Sequence, residues 1–346
     1  MQPLAVATAV CLLVASTHTR DAGRPYGSAT GKLPRLNATE AALLSAAQSW
    51  AKSHDHTLVL DARLRLAAGE LTDEVPGARE QAMDLEQARE ASQRWGSVDG
   101  QLALIGVRLP TGEPVAPILQ RQLETDLSAR AFDHIGVAAR ELGSEISAVV
   151  LLSRRLVELR PLAKRVSVGA RIRLSGSLVP PASTPAQVTL ALGLPNGSVV
   201  RQSLGRVQER FATTFQAPTT PGIVQVQLLV DRGAGPEIAA LFPVGVDADP
   251  FDGTQARGTS EAAAPLTDSA SVESEIVALV VEARRAERLT LPTLAPELVE
   301  ASRAHGTDMR DGGFFAHVSP TQGDVAGRLR HLGIGYQRAL ENLATG

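Results

Sequence analysis

Residues 294–320 read LAPELVEASRAHGTDMRDGGFFAHVSP, and this stretch decides the fold predicted for the C-terminal part of the chain. Pro296 suits the first position of a helix, and the apolar residues after it recur at helical spacing together with His305. A glycine pair at 312–313 ends that helix. Because His305 falls on the apolar face, we interpret it as a packed histidine. The aromatic pair at 314–315 follows, and we expect both rings in the core.

The sequence predicts one helix before this stretch and a shorter one after it. Apolar residues between Val272 and Ala283 share one helical face, with glutamates in the first turn and arginines at the end, as the helix dipole favours. Ser319 precedes the shorter helix, and we expect it to cap that segment. The chain closes on Glu-Asn-Leu-Ala, which begins at Glu341. Since both longer helices carry an apolar stripe, we expect a surface that stays bare or docks on another domain.

In order and spacing, residues 272–346 resemble the CAP superfamily, the cysteine-rich secretory, antigen-five and pathogenesis-related proteins, in its disulfide-free bacterial form. The resemblance is carried by a helix with His-x-x-Asp-Met, an aromatic pair before His-x-Ser-Pro, and Glu-Asn-Leu-Ala about 24 residues later. It implies an SCP-like extracellular domain, built as an α-β-α sandwich, of which this stretch carries mainly the helices. We therefore expect an incomplete, C-terminally truncated domain.

The resemblance also implies a site. In the family two histidines and two glutamates meet in a surface cleft, and the first of each correspond to His317 and Glu341. His317 is thus the candidate metal ligand, but a zinc site needs three or four protein ligands. We expect no firm cofactor, and zinc only in a complete domain. Two plainer interpretations stay open: His317 as a structural loop histidine, and Glu341 as a capping or solvated carboxylate.

The middle of the chain predicts a β-sandwich over residues 161–246. Apolar and polar residues alternate there in six or seven short stretches separated by Gly/Pro turns, as in immunoglobulin-like folds. One predicted hairpin turns at Pro-Asn-Gly, residues 195–197. We find no site in this domain and expect it to serve spacing or adhesion. A linker over residues 247–271 follows it.

Residues 39–160 predict a separate α+β domain, preceded by a linker at 20–38. Helical periodicity dominates its first part, and a hairpin with Gly143-Ser144 at the turn ends it. Two of its segments are similar to the second helix and the late paired strands of the CAP family. The domain is therefore either a degenerate, site-free copy of that fold or an unrelated α+β domain.

The N-terminus predicts a signal peptide over residues 1–19. Its apolar run, residues 4–15, suits the core of a secretory signal and is shorter than the roughly 20 residues that span a bilayer. The alternative is an apolar N-terminal strand or helix of the first domain. The only cysteine, Cys11, lies inside this run, so the exported chain would fold without disulfides.

Composition and resemblance together predict a secreted, extracellular or periplasmic bacterial protein of α+β class with several domains. The net charge of −3 argues against a nucleic-acid partner, and we expect no transmembrane span. The CAP resemblance implies binding of a small apolar ligand, an envelope component or a protein. An extracellular hydrolase or metal-dependent enzyme that uses the His/Glu cleft is one alternative, and a purely structural or adhesive scaffold is the other. The residues favour binding over catalysis, because no nucleophile with a full His/acid partnership is evident.

Overall fold

The computed structural model describes residues 24–252 apart from 29–30, 32, 76–84, 127–131 and 234, and residues 269–341 apart from 287–288, 313–318, 320, 324, 337–338 and 340. The predicted α+β class is confirmed, since helices and three β-sheets occur in these ranges. Among the helices described, none has the length and apolar character that a bilayer crossing requires.

The first unit is a three-layer α-β-α sandwich. Its helices and strands are α1 (Ala38–Ser53), β1 (Val59–Leu60), α2 (Ala62–Leu71), a short 3-10 turn (Thr72–Glu74), α3 (Leu85–Arg94), β2 (Gln101–Pro110), α4 (Val115–Asp126), β3 (His134–Leu142) and β4 (Glu145–Arg154). The sheet order is β1-β3-β4-β2, with β1 parallel to β3 and the other pairs antiparallel. The predicted hairpin is thus β3 and β4.

Alternation along the strands sends side chains to both faces of this sheet. Val150 and Leu152 of β4 pack with α1 and α4 on one face. Val149 and Leu151 pack with α2 and α3 on the other. Helix α1 begins at a capping box, in which Asn37 and Glu40 each accept a hydrogen bond from the other's backbone N–H.

The second unit is a β-sandwich. Its strands are β5 (Val157–Leu159), β6 (Arg165–Val166), β7 (Arg171–Leu178), β8 (Ala186–Gly193), β9 (Val199–Val207), β10 (Arg210–Gln216), β11 (Gly222–Asp231) and β12 (Pro236–Val246). One sheet has the order β10-β7-β5 and the other β6-β12-β11-β8-β9. The predicted tight hairpin joins β8 to β9, where Gly197 adopts a φ of +83°. Strand β5 pairs with β7 although it precedes residue 161.

The two units are packed against each other. Tyr26, before α1, is fully buried, donates its hydroxyl to the Pro243 carbonyl at 2.7 Å and packs its ring on Phe242 with centroids 4.7 Å apart. The Leu241 N–H donates to the Val98 carbonyl at 2.9 Å. A Cβ atom on Gly100 would lie only 2.4 Å from the carbonyl oxygen of Ile238, so the backbones there are in direct contact.

The C-terminal segment is built differently. It comprises α5 (Ser269–Ala286), α6 (Pro296–Gly312) and α7 (Val325–His331), which are the three predicted helices. No described side chain of α5 is buried, and Ile276 and Leu279 are 52% and 55% exposed. An ion pair between Arg303 and Glu273 at 2.5 Å joins α6 to α5. The expected bare apolar surface is therefore present.

Candidate functional site

The few buried groups of the C-terminal segment are mostly polar, and two of them, His305 and Arg328, meet the partly buried Glu341. Arg328 of α7 is 6% exposed, and its Nη2 donates to Oε1 of Glu341 at 2.5 Å. His305 of α6 is 1% exposed, and its Nε2 lies 4.0 Å from the other oxygen, Oε2, of Glu341. We call His305, Arg328 and Glu341 the polar cluster.

Arg328 fixes the geometry of this cluster. Its Nη1 donates to the Gly323 carbonyl at 2.7 Å while Nη2 holds the Glu341 carboxylate. The guanidinium thus ties the turn before α7 to the segment after it. Because the carboxylate is already balanced by a fixed positive charge, a cation that approaches Glu341 has to compete with Arg328.

Ser319 orders the turn beside the cluster. It is 3% exposed, and its hydroxyl oxygen accepts hydrogen bonds from the backbone N–H groups of Thr321 and Gln322 at 3.1 and 2.9 Å. These bonds order the turn itself and do not cap the next helix as predicted, because α7 begins only at Val325. Thr321 in turn places its hydroxyl 3.4 Å from Oδ1 of Asp308, which follows His305 on α6 by three residues.

Of the two predicted site residues, the structure describes Glu341 but not His317. Glu341 lies in the polar cluster, with 16% of its side chain exposed. His317 and the expected core rings Phe314 and Phe315 lie outside the described residues. His305 is packed as predicted, but it also approaches Glu341, which the periodicity of α6 does not reveal.

Sequence reasoning missed Arg328 and Asp308. Asp308 stands three residues after His305, and that spacing alone puts two side chains on the same side of a helix. Arg328 left no such signal, because its contact with Glu341 depends on the path of the turn after α7. Within the described ranges, no three His, Cys, Asp or Glu side chains converge as a metal ion would require.

A second polar group, in the first unit, superficially resembles a catalytic triad. The Ser53 hydroxyl lies 3.2 Å from Nδ1 of His54, whose Nε2 is 3.5 Å from Glu124. However, that Nδ1 also lies 2.9 Å from the Trp50 carbonyl, which can only accept, so Nδ1 carries the proton. Ser53 donates to the same carbonyl at 2.7 Å. His54 therefore cannot take a proton from Ser53.

Ser53 and Glu124 border a surface cavity of about 350 Å³ between α1 and α4. It is lined by Ser49, Trp50, Ser53, Gln120, Arg121 and Glu124. All of these except Trp50 are exposed, so the cavity is a shallow groove.

No protein-family model matches the chain. A stretch of 103 residues is 34% identical to the uncharacterized protein YkwD of Bacillus subtilis (strain 168). That stretch is 29% of this chain, and it spans only 40% of the relative's length.

Among solved structures, a chitin binding domain from Burkholderia pseudomallei is similar over 24% of this chain and 53% of its own. The two are 16% identical with a TM-score of 0.16, which is too low to indicate a shared fold.

Proposed function

We propose that this chain is a secreted bacterial protein with a CAP-type, SCP-like domain in residues 272–346, and that it acts by binding an extracellular or envelope ligand. The observation that carries the proposal is the position of Glu341. This first residue of the Glu-Asn-Leu-Ala motif lies against a buried arginine and a buried histidine, Arg328 and His305. The motif thus coincides with a group of polar side chains that α6 and α7 hold in place.

The cluster suits binding better than catalysis. The Glu341 carboxylate is bound to Arg328, and at 4.0 Å from Nε2 of His305 it does not form a hydrogen-bonded acid–base pair with that ring. The nearby Ser319 hydroxyl accepts two backbone hydrogen bonds, as a structural side chain does. Zinc has no part in the proposal, because with His317 and Glu341 alone we expect any zinc site to be weak.

The exposed apolar residues of α5 and of the start of α6 favour an apolar ligand among the three ligand classes. Ile276, Leu279 and Val280 of α5 are 44–55% exposed and share one helical face. Leu294 and Leu298, at the start of α6, are 62% and 45% exposed. Exposed apolar patches of this kind mark ligand or partner sites. A small apolar or lipid-like molecule can cover this face.

Binding is tested on the full chain with a dansyl-labelled long-chain fatty acid as the probe, read by fluorescence. Leu279→Asp puts a charge on the apolar face and should weaken binding about tenfold or more, because contact with one leucine is worth roughly 1.5–3 kcal/mol. Ser274→Asp adds the same charge to the opposite side of α5 and serves as the control. Equal affinities for the two variants would reject the apolar face as the binding surface.

Export is tested separately. The producing bacterium is fractionated and the N-terminus of the mature protein is sequenced. We expect a chain shortened near residue 19 outside the cytoplasm. An intact Met1 found only in the cytoplasmic fraction would contradict secretion.

A further inference from the structure

The outward face of the three-stranded sheet in the β-sandwich is rich in arginine. In β7, Ile172 and Leu174 point into the core, so their neighbours Arg171 and Arg173 point outward. Arg210 of β10 and Arg160, just after β5, lie on the same outward face. We call Arg160, Arg171, Arg173 and Arg210 the arginine face.

The strand register places these side chains together. Arg173 stands opposite Thr214 and Arg171 opposite Gln216, both on β10. On the other side of β7, the Arg160 N–H donates to the Ser175 carbonyl at 2.9 Å. All four arginines are exposed. Residues two apart on a strand are about 6.8 Å apart, so Arg160, Arg171 and Arg173 form a closely spaced row. Arg210, opposite Ser177, stands two positions further along the sheet.

Little negative charge balances this array. Glu158 is the one acidic residue among the outward positions of the described sheet, which are Glu158, Arg160, Arg171, Arg173, Ser175, Ser177, Arg210, Ala212, Thr214 and Gln216. Arg210 pairs with Glu209 at 3.3 Å, and both side chains are largely exposed. In the described structure the other three arginines make no ion pair. A chain with a net charge of −3 thus carries a concentrated positive patch.

The shape and chemistry of the face restrict its ligand. It is the open, exposed surface of a sheet, so it suits an extended polymer rather than a small molecule. None of the outward residues is aromatic, so the face offers no stacking platform for the bases of a nucleic acid. Arginine instead recognises oxyanions, with two parallel hydrogen bonds to carboxylate or phosphate. Ser175, Thr214 and Gln216 add neutral hydrogen-bonding groups between the charges.

We propose that the arginine face binds a linear polymer of phosphodiesters joined by short polyols, without bases. Such a polymer carries one oxyanion per short repeat, which matches the spacing of Arg171 and Arg173 better than a polysaccharide with one carboxylate per disaccharide. The β-sandwich then anchors the chain to a polyanionic envelope component. This role is independent of the polar cluster in the C-terminal segment.

The proposal is tested with the full chain and synthetic poly(glycerol phosphate), whose affinity is measured over a range of salt concentrations. Each arginine–phosphate contact contributes about 0.7 to the slope of log K against log salt for a single strand. The double variant Arg171→Gln/Arg173→Gln should therefore bind more weakly, with a slope smaller by about 1.4. Hyaluronate and oligo(dT) are measured alongside as the carboxylate polymer and the base-bearing polymer.

The control is Arg201→Gln/Arg206→Gln. These two residues stand on β9 opposite Ala191 and Gln187, on the outward face of the other sheet, and removing them causes the same change in net charge. We expect this variant to keep the affinity and slope of the native chain, and thermal melting checks that both variants are folded. Equal losses in the two variants, equal binding of oligo(dT), preference for hyaluronate or absence of binding would each overturn the proposal.

Discussion

Arg155, directly after β4, shows what a buried charge requires in this protein. Its Nη2 donates to Oδ2 of Asp61 at 2.8 Å and to Oδ2 of Asp99 at 3.0 Å, and all three side chains are 9% exposed or less. The Ser153 hydroxyl donates to Asp99 at 2.7 Å. Burial raises the pKa of Asp61, but the charges of Arg63 and Arg155 outweigh it and hold that pKa well below its usual range.

Removing Arg155 should destabilise the first unit strongly. Arg155→Met removes the cation that Asp61 and Asp99 share, so Asp61 keeps only Arg63 and Asp99 loses its ion pair with Arg155. Breaking a buried pair in this way costs about 3–5 kcal/mol. Arg154→Met is the control, because Arg154 pairs with Glu237 at 2.9 Å with both side chains more than a third exposed, and such pairs contribute about 1 kcal/mol or less. Urea unfolding at neutral pH measures both losses. Similar losses for the two variants would contradict a structural role for the cluster.

The same cluster predicts how stability changes with pH. The pKa of Asp61 is lower in the folded chain than its unfolded value of about 3.9. Its ionised form therefore stabilises the fold above that pH, and the contribution is lost progressively as the pH falls below it. In Asp61→Asn, which can still cap α2, this part of the acid dependence should disappear. The free energy of unfolding between pH 7 and pH 3, compared for the two proteins, is the measurement. Parallel curves would show that Asp61 is not the titrating group.

At the residue scale, the sequence identifies motif residues but not their partners. Glu341 is found from the Glu-Asn-Leu-Ala motif. Arg328 is not, because its role depends on a turn that returns the chain to α7. The sequence also does not reveal Asp61 and Asp99 as partners of Arg155, because they lie 94 and 56 positions away from it in the chain.

At the scale of elements, the contact between α2 and β3 depends on one glycine. A Cβ atom on Gly136 would lie 2.2–2.5 Å from backbone atoms of Leu64 and Arg65 in α2. The helix can lie this close to the strand only because residue 136 has no side chain. Gly69, one turn from the end of the same helix, differs, because its nearest neighbour would be the Ala138 Cβ at 4.0 Å.

Two glycine-to-alanine substitutions in this contact should therefore change the free energy of unfolding in opposite directions. Gly136→Ala should destabilise by about 1–3 kcal/mol, because α2 must move away from the sheet. Gly69→Ala should stabilise by roughly 0.5–1 kcal/mol, because alanine favours a helix interior more than glycine does. Chemical denaturation of both variants decides the matter. A neutral Gly136→Ala would mean that the helix and strand are not packed as closely as described.

Periodicity finds the longer elements and misses the contacts that arrange them. The alternation within residues 161–246 predicts the β-sandwich, and the Gly143-Ser144 turn predicts the β3–β4 hairpin. Strand β5 has only three residues, Val157–Leu159, which is too short for a periodic signal. It becomes a strand through its pairing with β7. The need for a glycine at position 136 likewise depends on how closely α2 approaches β3.

At the scale of the molecule, Tyr26 links the first unit to the β-sandwich. Its ring packs on Phe242 within the sandwich core, although it precedes α1 in the chain. Tyr26→Ala should lower stability by about 3–5 kcal/mol, as large aromatic truncations do, and Tyr26→Phe by only about 1 kcal/mol for the lost hydrogen bond. We expect fluorescence and circular dichroism to report one shared unfolding transition for residues 24–252 in each case. Separate transitions for the two units in the native chain would contradict this coupling.

Hydrogen exchange should divide the chain into two parts. Strands β4 and β11 lie inside fully packed cores, so their amides should exchange only through global unfolding. Helix α5 buries no described side chain, and helices in proteins owe most of their stability to the packing of an apolar face. Its amides should therefore exchange nearly as fast as those of an unstructured chain. Strong protection throughout α5 would show that its apolar face is covered in solution.

The close contact at Gly100 also bears on inheritance. Any side chain at that position would meet the backbone of Ile238, so a β-sandwich acquired by recombination without the matching first unit could not dock there. We therefore expect the first unit and the β-sandwich to be inherited and transferred together. In gene sequences, an amino-acid change at position 100 should accompany a compensating change or deletion around position 238.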